Sequence, residues 1–206
     1  MKKTLLGLML SVSLLAGAAV TANAAEDAPQ TSNGEVTFQG GSITIDNGDT
    51  STGTSAADLN FGTHDISTSD TGTYDNTNAS AKVSVEDLRG TAAGWSLAVS
   101  QGTQFTSATS KKELTGAVIT LNGVLDTTNS STGADAKVNT GVALTPGTTA
   151  TGTTTPIMTA ASGTGNGTSV DNISASTLAV PTSTAKVSEA YNTTLTWELA
   201  ATPSNS

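Results

Sequence analysis

The 206-residue chain contains no cysteine. No disulfide can staple it, no thiolate is available for nucleophilic or metal chemistry, and a lipid anchor through a lipobox cysteine is excluded. Histidine occurs once, and eight Lys and Arg stand against seventeen Asp and Glu, giving a formal net charge of −9. The basic residues are scattered, at Lys82, Arg89, Lys111, Lys112, Lys137 and Lys186. Without a cationic stripe, nucleic acid and anionic lipid surfaces are not expected partners. Straight-chain helix formers are scarce, and no heptad or helical periodicity persists beyond the N-terminal leader. Aromatic residues make up only 3% of the chain.

What is present begins with MKKTLLGLMLSVSLLAGAAVTANAA. Lys2 and Lys3 give a positive start, Leu5 to Val20 an apolar run, and Ala22, Asn23 and Ala24 a small-residue cleavage site. That order is a secretory signal peptide over residues 1–24. The run is short for a bilayer span and no basic stop-transfer residues follow it, so stable membrane insertion is not expected. Residues 25–34 read as a flexible mature N-terminus and 35–206 as one domain, long enough to bury a core without staples.

The mature chain is rich in Thr, Ser, Gly, Asn and Ala, with a recurring two-residue apolar alternation. EVTFQ from Glu35 sets Val36 and Phe38 on one face, and SITID from Ser42 does the same with Ile43 and Ile45. Asn47 and Gly48 form a turn signal. Short alternating runs follow at Leu59 to Phe61 and Lys82 to Glu86. Trp95, Leu97 and Val99 share a face opposite Ser96, Ala98 and Ser100. LTGAVITL from Leu114 to Leu121 reads as a strand closed by Asn122 and Gly123, and Leu178 to Val180 as one stopped by Pro181. The last strand, Asn192 to Leu199, places Leu195, Trp197 and Leu199 together. Residues 145–167 read as a long Thr/Gly loop anchored by Ile157 and Met158. The expected fold class is all-β, an antiparallel β-sandwich or barrel with long Thr/Gly/Ser-rich loops.

Both tryptophans are followed two positions later by leucine. On a strand this sets an indole beside an isobutyl group on one face. Two readings stand. Both pairs point into the core, as large apolar residues usually do; or one or both form a surface platform for a sugar or a protein partner.

GWSL and YNTTLTWEL, about a hundred positions apart, resemble the signature of the WxL domain family, surface domains of Gram-positive bacteria. The segment from Leu59 to Ile66 is similar to the family's L-x-F-G-x-x-x-I. VEDLRG from Val85 is similar to its V-x-D-x-R, and Tyr191 through Leu199 to its closing Y-x-x-x-L-x-W-x-L. The resemblance implies non-covalent attachment to the cell wall, through peptidoglycan or another wall glycan, and a place at the cell surface. It also implies association with other WxL-type surface proteins and with a membrane-anchored WxL-interacting envelope protein. The residues it offers for contact with wall or partner are Trp95, Leu97, Trp197, Leu199, Tyr191, Asp87 and Arg89. The 145–167 stretch departs from the family pattern.

Catalytic chemistry is not expected. His64 reads as structural, since a lone histidine lacks the partner geometry of a mechanism. Asp46, Asp49 and Asp58 do not match a calcium loop. Asp87 and Arg89 read as an ion pair tying a strand end, with contact to glycan or partner as the functional alternative. No cofactor and no metal site are expected.

Overall fold

The computed structural model describes residues 34–46, 56–67, 71–148 and 152–203. By its internal contacts the chain divides into Met1–Thr37 and Phe38–Ser206. In the first unit only residues 34–37 are described; they are exposed and carry no regular secondary structure.

In the second unit fourteen strands and no helix are found among the described residues. They are β1 (Ile43–Asp46), β2 (Thr73–Asp75), β3 (Lys82–Asp87), β4 (Trp95–Gln101), β5 (Thr106–Ser107), β6 (Val118–Asn122) and β7 (Val124–Leu125). Then come β8 (Lys137–Val138), β9 (Thr140–Ala143), β10 (Thr155–Ala160), β11 (Gly167–Asn172), β12 (Thr177–Ala179), β13 (Tyr191–Asn192) and β14 (Leu195–Ala200). Three four-stranded sheets have the orders β1-β3-β11-β7, β14-β4-β10-β8 and β2-β12-β6-β9, and β13 pairs with β5. Every pairing is antiparallel, no sheet closes into a barrel, and the architecture is that of an all-β sandwich.

The core follows from the alternation. On β3, Val83, Val85 and Asp87 point inward, while Lys82 and Glu86 face out. β4 lies between β14 and β10 and is covered on both faces: Trp95, Leu97 and Val99 are buried, and so are Ser96 and Ser100. Small hydroxyl side chains on its second face let neighbouring backbone close over it.

Several expectations are corrected. Residues 34–42 carry no strand, and Val36 and Phe38 are 74% and 89% exposed. Only its end is paired, through Gly41 and Ser42 to Leu88; among the described residues, 34–40 make no ladder, and without one the alternation alone forms no strand. Leu59 to Phe61 is irregular, because the Asn60 backbone bonds to Asn76 and Thr77 rather than to a sheet. The strand expected from Leu114 to Leu121 begins only at Val118, after a turn at Thr115 and Gly116; it ends at Asn122, and the chain runs straight into β7, in a different sheet. A side chain at position 123 would meet the Asp171 carboxylate at 2.6 Å, so glycine makes the crossing possible. The stretch 145–167 holds a core strand, β10, whose bulge between Pro156 and Met158 buries both Ile157 and Met158. The turn expected at Asn47 and Gly48 lies outside the described residues.

Candidate functional site

The two tryptophan frames meet in one ladder. β4 and β14 pair so that Leu97 faces Leu199, Val99 faces Trp197, and Gln101 faces Leu195. Residues directly opposite in an antiparallel pair share a face, so both indoles and both leucines lie on the core face of this sheet. Their environments differ. Trp95 is fully buried, and its Nε1–H donates to the Gly165 carbonyl at 3.0 Å. Gly165 sits at φ +88°, where a Cβ would come within 2.6 Å of the indole nitrogen. Trp197 is half-buried at the sheet edge, and its indole N–H has no partner among the described residues.

Asp87 and Arg89 hold this ladder to the neighbouring sheet. Arg89 Nε donates to Asp87 Oδ1 at 2.9 Å and Nη2 to Oδ2 at 2.8 Å. The same guanidinium reaches the Gly94 carbonyl at 3.0 Å, just before β4, and the Ala201 carbonyl at 2.8 Å, just after β14. One side chain therefore fastens the start of one tryptophan strand and the end of the other to the end of β3. Hydrogen bonding by Arg89 holds the buried Asp87 carboxyl below its ordinary pKa, although burial alone would raise it, and Asp87 in return raises that of Arg89.

A groove of about 1210 Å³ opens beside Trp197. One wall is the irregular segment 57–66, the other the chain from Lys186 to Trp197. The floor is the core itself, at Phe105, Leu114, Ile119, Leu178 and Val180. Of the seven Phe, Trp and Tyr residues, five line it: Phe61, Tyr74, Phe105, Tyr191 and Trp197. In a chain this poor in aromatics, that gathering marks the groove as the candidate site.

Side-chain amides build the first wall. The Asn60 N–H donates to Asn76 Oδ1 at 2.9 Å, Asn78 Nδ2 to the Asp58 carbonyl at 2.8 Å, and the Thr77 N–H to the Asn60 carbonyl at 2.6 Å. His64 Nε2 lies 2.6 Å from the Phe61 carbonyl, and its ring covers one face of Tyr74 with centroids 4.3 Å apart. Phe61 and Phe105 meet edge to face at 6.2 Å. On the second wall, the Val187 N–H donates to the Tyr191 hydroxyl at 2.9 Å, and Thr193 Oγ1 donates to the Thr103 carbonyl at 2.6 Å. The backbone N–H of Ser110 donates to Glu189 and holds its carboxyl below the ordinary range.

Of the seven candidate residues, Trp197 and Tyr191 line the groove. Leu199 continues the ladder half-buried beyond it, Trp95 and Leu97 lie in the core, and Asp87 and Arg89 form the clamp. Phe61, His64, Tyr74, Phe105 and Glu189 were not among the candidates; a signal existed for Phe61 and His64, which sit in a resemblance segment, and none for Tyr74, Phe105 and Glu189. The segment Leu59 to Ile66 and the stretch from Tyr191 to Trp197, which carry the family resemblance, are the groove's two walls. Among the described residues no group of three or more His, Asp or Glu is placed to hold a metal ion, and no helix is long and apolar enough to cross a membrane.

A family model described as WxL domain surface cell wall-binding matches residues 25–203. No curated protein and no solved structure matches the chain.

Proposed function

This chain belongs to the WxL domain family and is a surface protein that binds the cell wall, and on that premise we propose that it is exported from a Gram-positive cell and attaches non-covalently to peptidoglycan through the groove at Trp197. Its role in this reading is adhesion, not turnover. The observation that carries it is the division of labour between the two indoles. Trp95 is sealed in the core with its N–H satisfied, and Trp197, at the rim of an aromatic-lined groove, has an N–H with no partner among the described residues. A half-exposed indole with an apolar body and an open donor suits a ligand that is partly apolar and partly polar. Tyr191 lies on the same wall, and the Asp87–Arg89 clamp acts as a positioning element that holds the Trp197 strand in place.

The test is co-sedimentation of the mature protein with washed peptidoglycan. Wild type is expected in the pellet. Trp197→Ala is expected in the supernatant with its β circular-dichroism spectrum intact. A folded Trp197→Ala that pellets like wild type removes the groove from the account, and wild type left in the supernatant removes direct binding altogether.

The edge of β14, unpaired among the described residues, also favours a second reading, a strand of a WxL-interacting envelope protein or of another WxL-type surface protein docking there. In that case pelleting requires the added partner.

A further inference from the structure

β14 is an edge strand, paired with β4 on one side only among the described residues. The Gly102 N–H donates to the Thr194 carbonyl at 2.8 Å, which fixes the phase of the ladder. In an antiparallel pair, hydrogen-bonded and non-bonded positions alternate. Thr194, Thr196 and Glu198 therefore bond to β4, while Leu195, Trp197 and Leu199 turn their N–H and C=O outward. Leu195 and Trp197 also line the groove. The groove is thus more than an aromatic cleft: along one wall runs a row of unpaired backbone donors and acceptors at strand spacing, above a floor of core side chains.

Resting on the wall-binding reading, we infer that the groove takes the peptide part of peptidoglycan, with a stem peptide adding as a short extended strand to the outer edge of β14. Three observations favour peptide over sugar. Alternating N–H and C=O groups of a second extended backbone match the free edge of Leu195 and Trp197, which the scattered hydroxyls of a pyranose do not. The aromatic faces a sugar would stack on are partly taken, Tyr74 by His64 and Phe61 by the edge contact with Phe105. Among the described lining residues Asp65 and Glu189 stand against one cation, Lys186, a balance that suits the free ammonium of a stem-peptide diamino acid.

The experiment compares three wall-derived probes with the mature protein: whole washed peptidoglycan, glycan chains stripped of peptide by an amidase, and the released stem peptide with its side-chain ammonium free. Binding is read by sedimentation or calorimetry, and hydrogen exchange is followed at Leu195 and Trp197. Whole wall and free peptide are expected to bind, stripped glycan is not, and exchange at both amides slows at least about tenfold in the bound state. Leu195→Pro deletes one outward N–H without breaking the β4 ladder. It is expected to weaken peptide binding about tenfold, one hydrogen bond's worth, whereas Leu195→Ala, which keeps that amide and loses only side-chain contact in the groove, is expected to weaken it less; equal weakening by the two variants assigns the effect to the side chain and overturns strand addition. If the proline variant does not fold, exchange in wild type decides alone. Stripped glycan that binds as well as whole wall, or amides that stay unprotected with peptide bound, overturns this inference and leaves wall attachment standing. Failure to bind any of the three overturns both.

Discussion

Leu97 and Leu199 stand directly opposite each other across the ladder of β4 and β14. Two motifs a hundred residues apart are thereby one structural unit, with the leucines at its centre and the tryptophans set diagonally on the same face. Read in opposite directions on adjacent strands, two W-x-L frames can bring only one of their positions into register; here it is the leucine, while Trp197 faces Val99.

That pairing predicts coupled energetics. Leu97 is fully buried and Leu199 only partly. Leu97→Ala is expected to cost about 2–5 kcal/mol and Leu199→Ala roughly half as much. Because the side chains touch, the double variant should deviate from additivity by more than about 0.5 kcal/mol. Denaturant unfolding of the three variants measures this.

The indoles should separate in mutagenesis. Trp95→Ala empties a buried site and strands the Gly165 carbonyl, for an expected loss of about 3–5 kcal/mol. Trp197→Ala should cost far less stability. Thermal melting of the two variants checks the order, which reverses if Trp197 is the structural residue.

The clamp predicts a loss on Arg89→Ala on the order of 2–3 kcal/mol, below the figure for a fully buried pair because the guanidinium reaches solvent. The Asp87 carboxyl has its pKa lowered by Arg89. Its contribution is therefore present above the unfolded value of 3.8 and is lost as pH falls through the lower folded value. Acid unfolding of wild type should be steeper than that of Asp87→Asn.

Asp171 predicts the opposite slope at higher pH. It points inward on β11 beside Ser169, fully buried, with no hydrogen-bond partner of good geometry on either oxygen among the described residues. Burial pushes its pKa from 3.8 up to about 7, and the Val124 backbone amide offsets only part of that. The folded state holds this proton more tightly than the unfolded one. Stability from this group is thus full below 3.8 and is lost as pH rises through about 7. The loss amounts to an order of 4 kcal/mol at most. Asp171→Asn should be more stable than wild type at pH 8 and flatter between pH 4 and 8, as read from unfolding midpoints across the range.

Much of this architecture was legible in the residues. Strong period-2 alternation located β1, β3, β4, β12, β14 and the second half of the run that became β6. The strands that escaped notice lack that signal. β11 reads GTSVDN and turns Ser169 and Asp171 inward, and β10 carries a proline and a bulge that break the alternation. In the other direction, Val36 and Phe38 have the alternation and no partner strand. The groove was not legible as a place, since its walls lie more than a hundred residues apart and meet only through tertiary packing, Phe61 against Phe105 beside the β5–β13 pair that holds Tyr191. The segments that build it were visible by resemblance, and so was the clamp.

The central claim is that Trp197 meets the wall while Trp95 holds the fold. Acrylamide quenching of a Trp95→Phe variant, which leaves Trp197 as the sole indole, tests it most directly. Trp197 is predicted to be quenched readily in the free protein and to be shielded, with a blue-shifted emission, once soluble peptidoglycan fragments are added. Quenching that stays unchanged while the same variant still sediments with whole wall would contradict it.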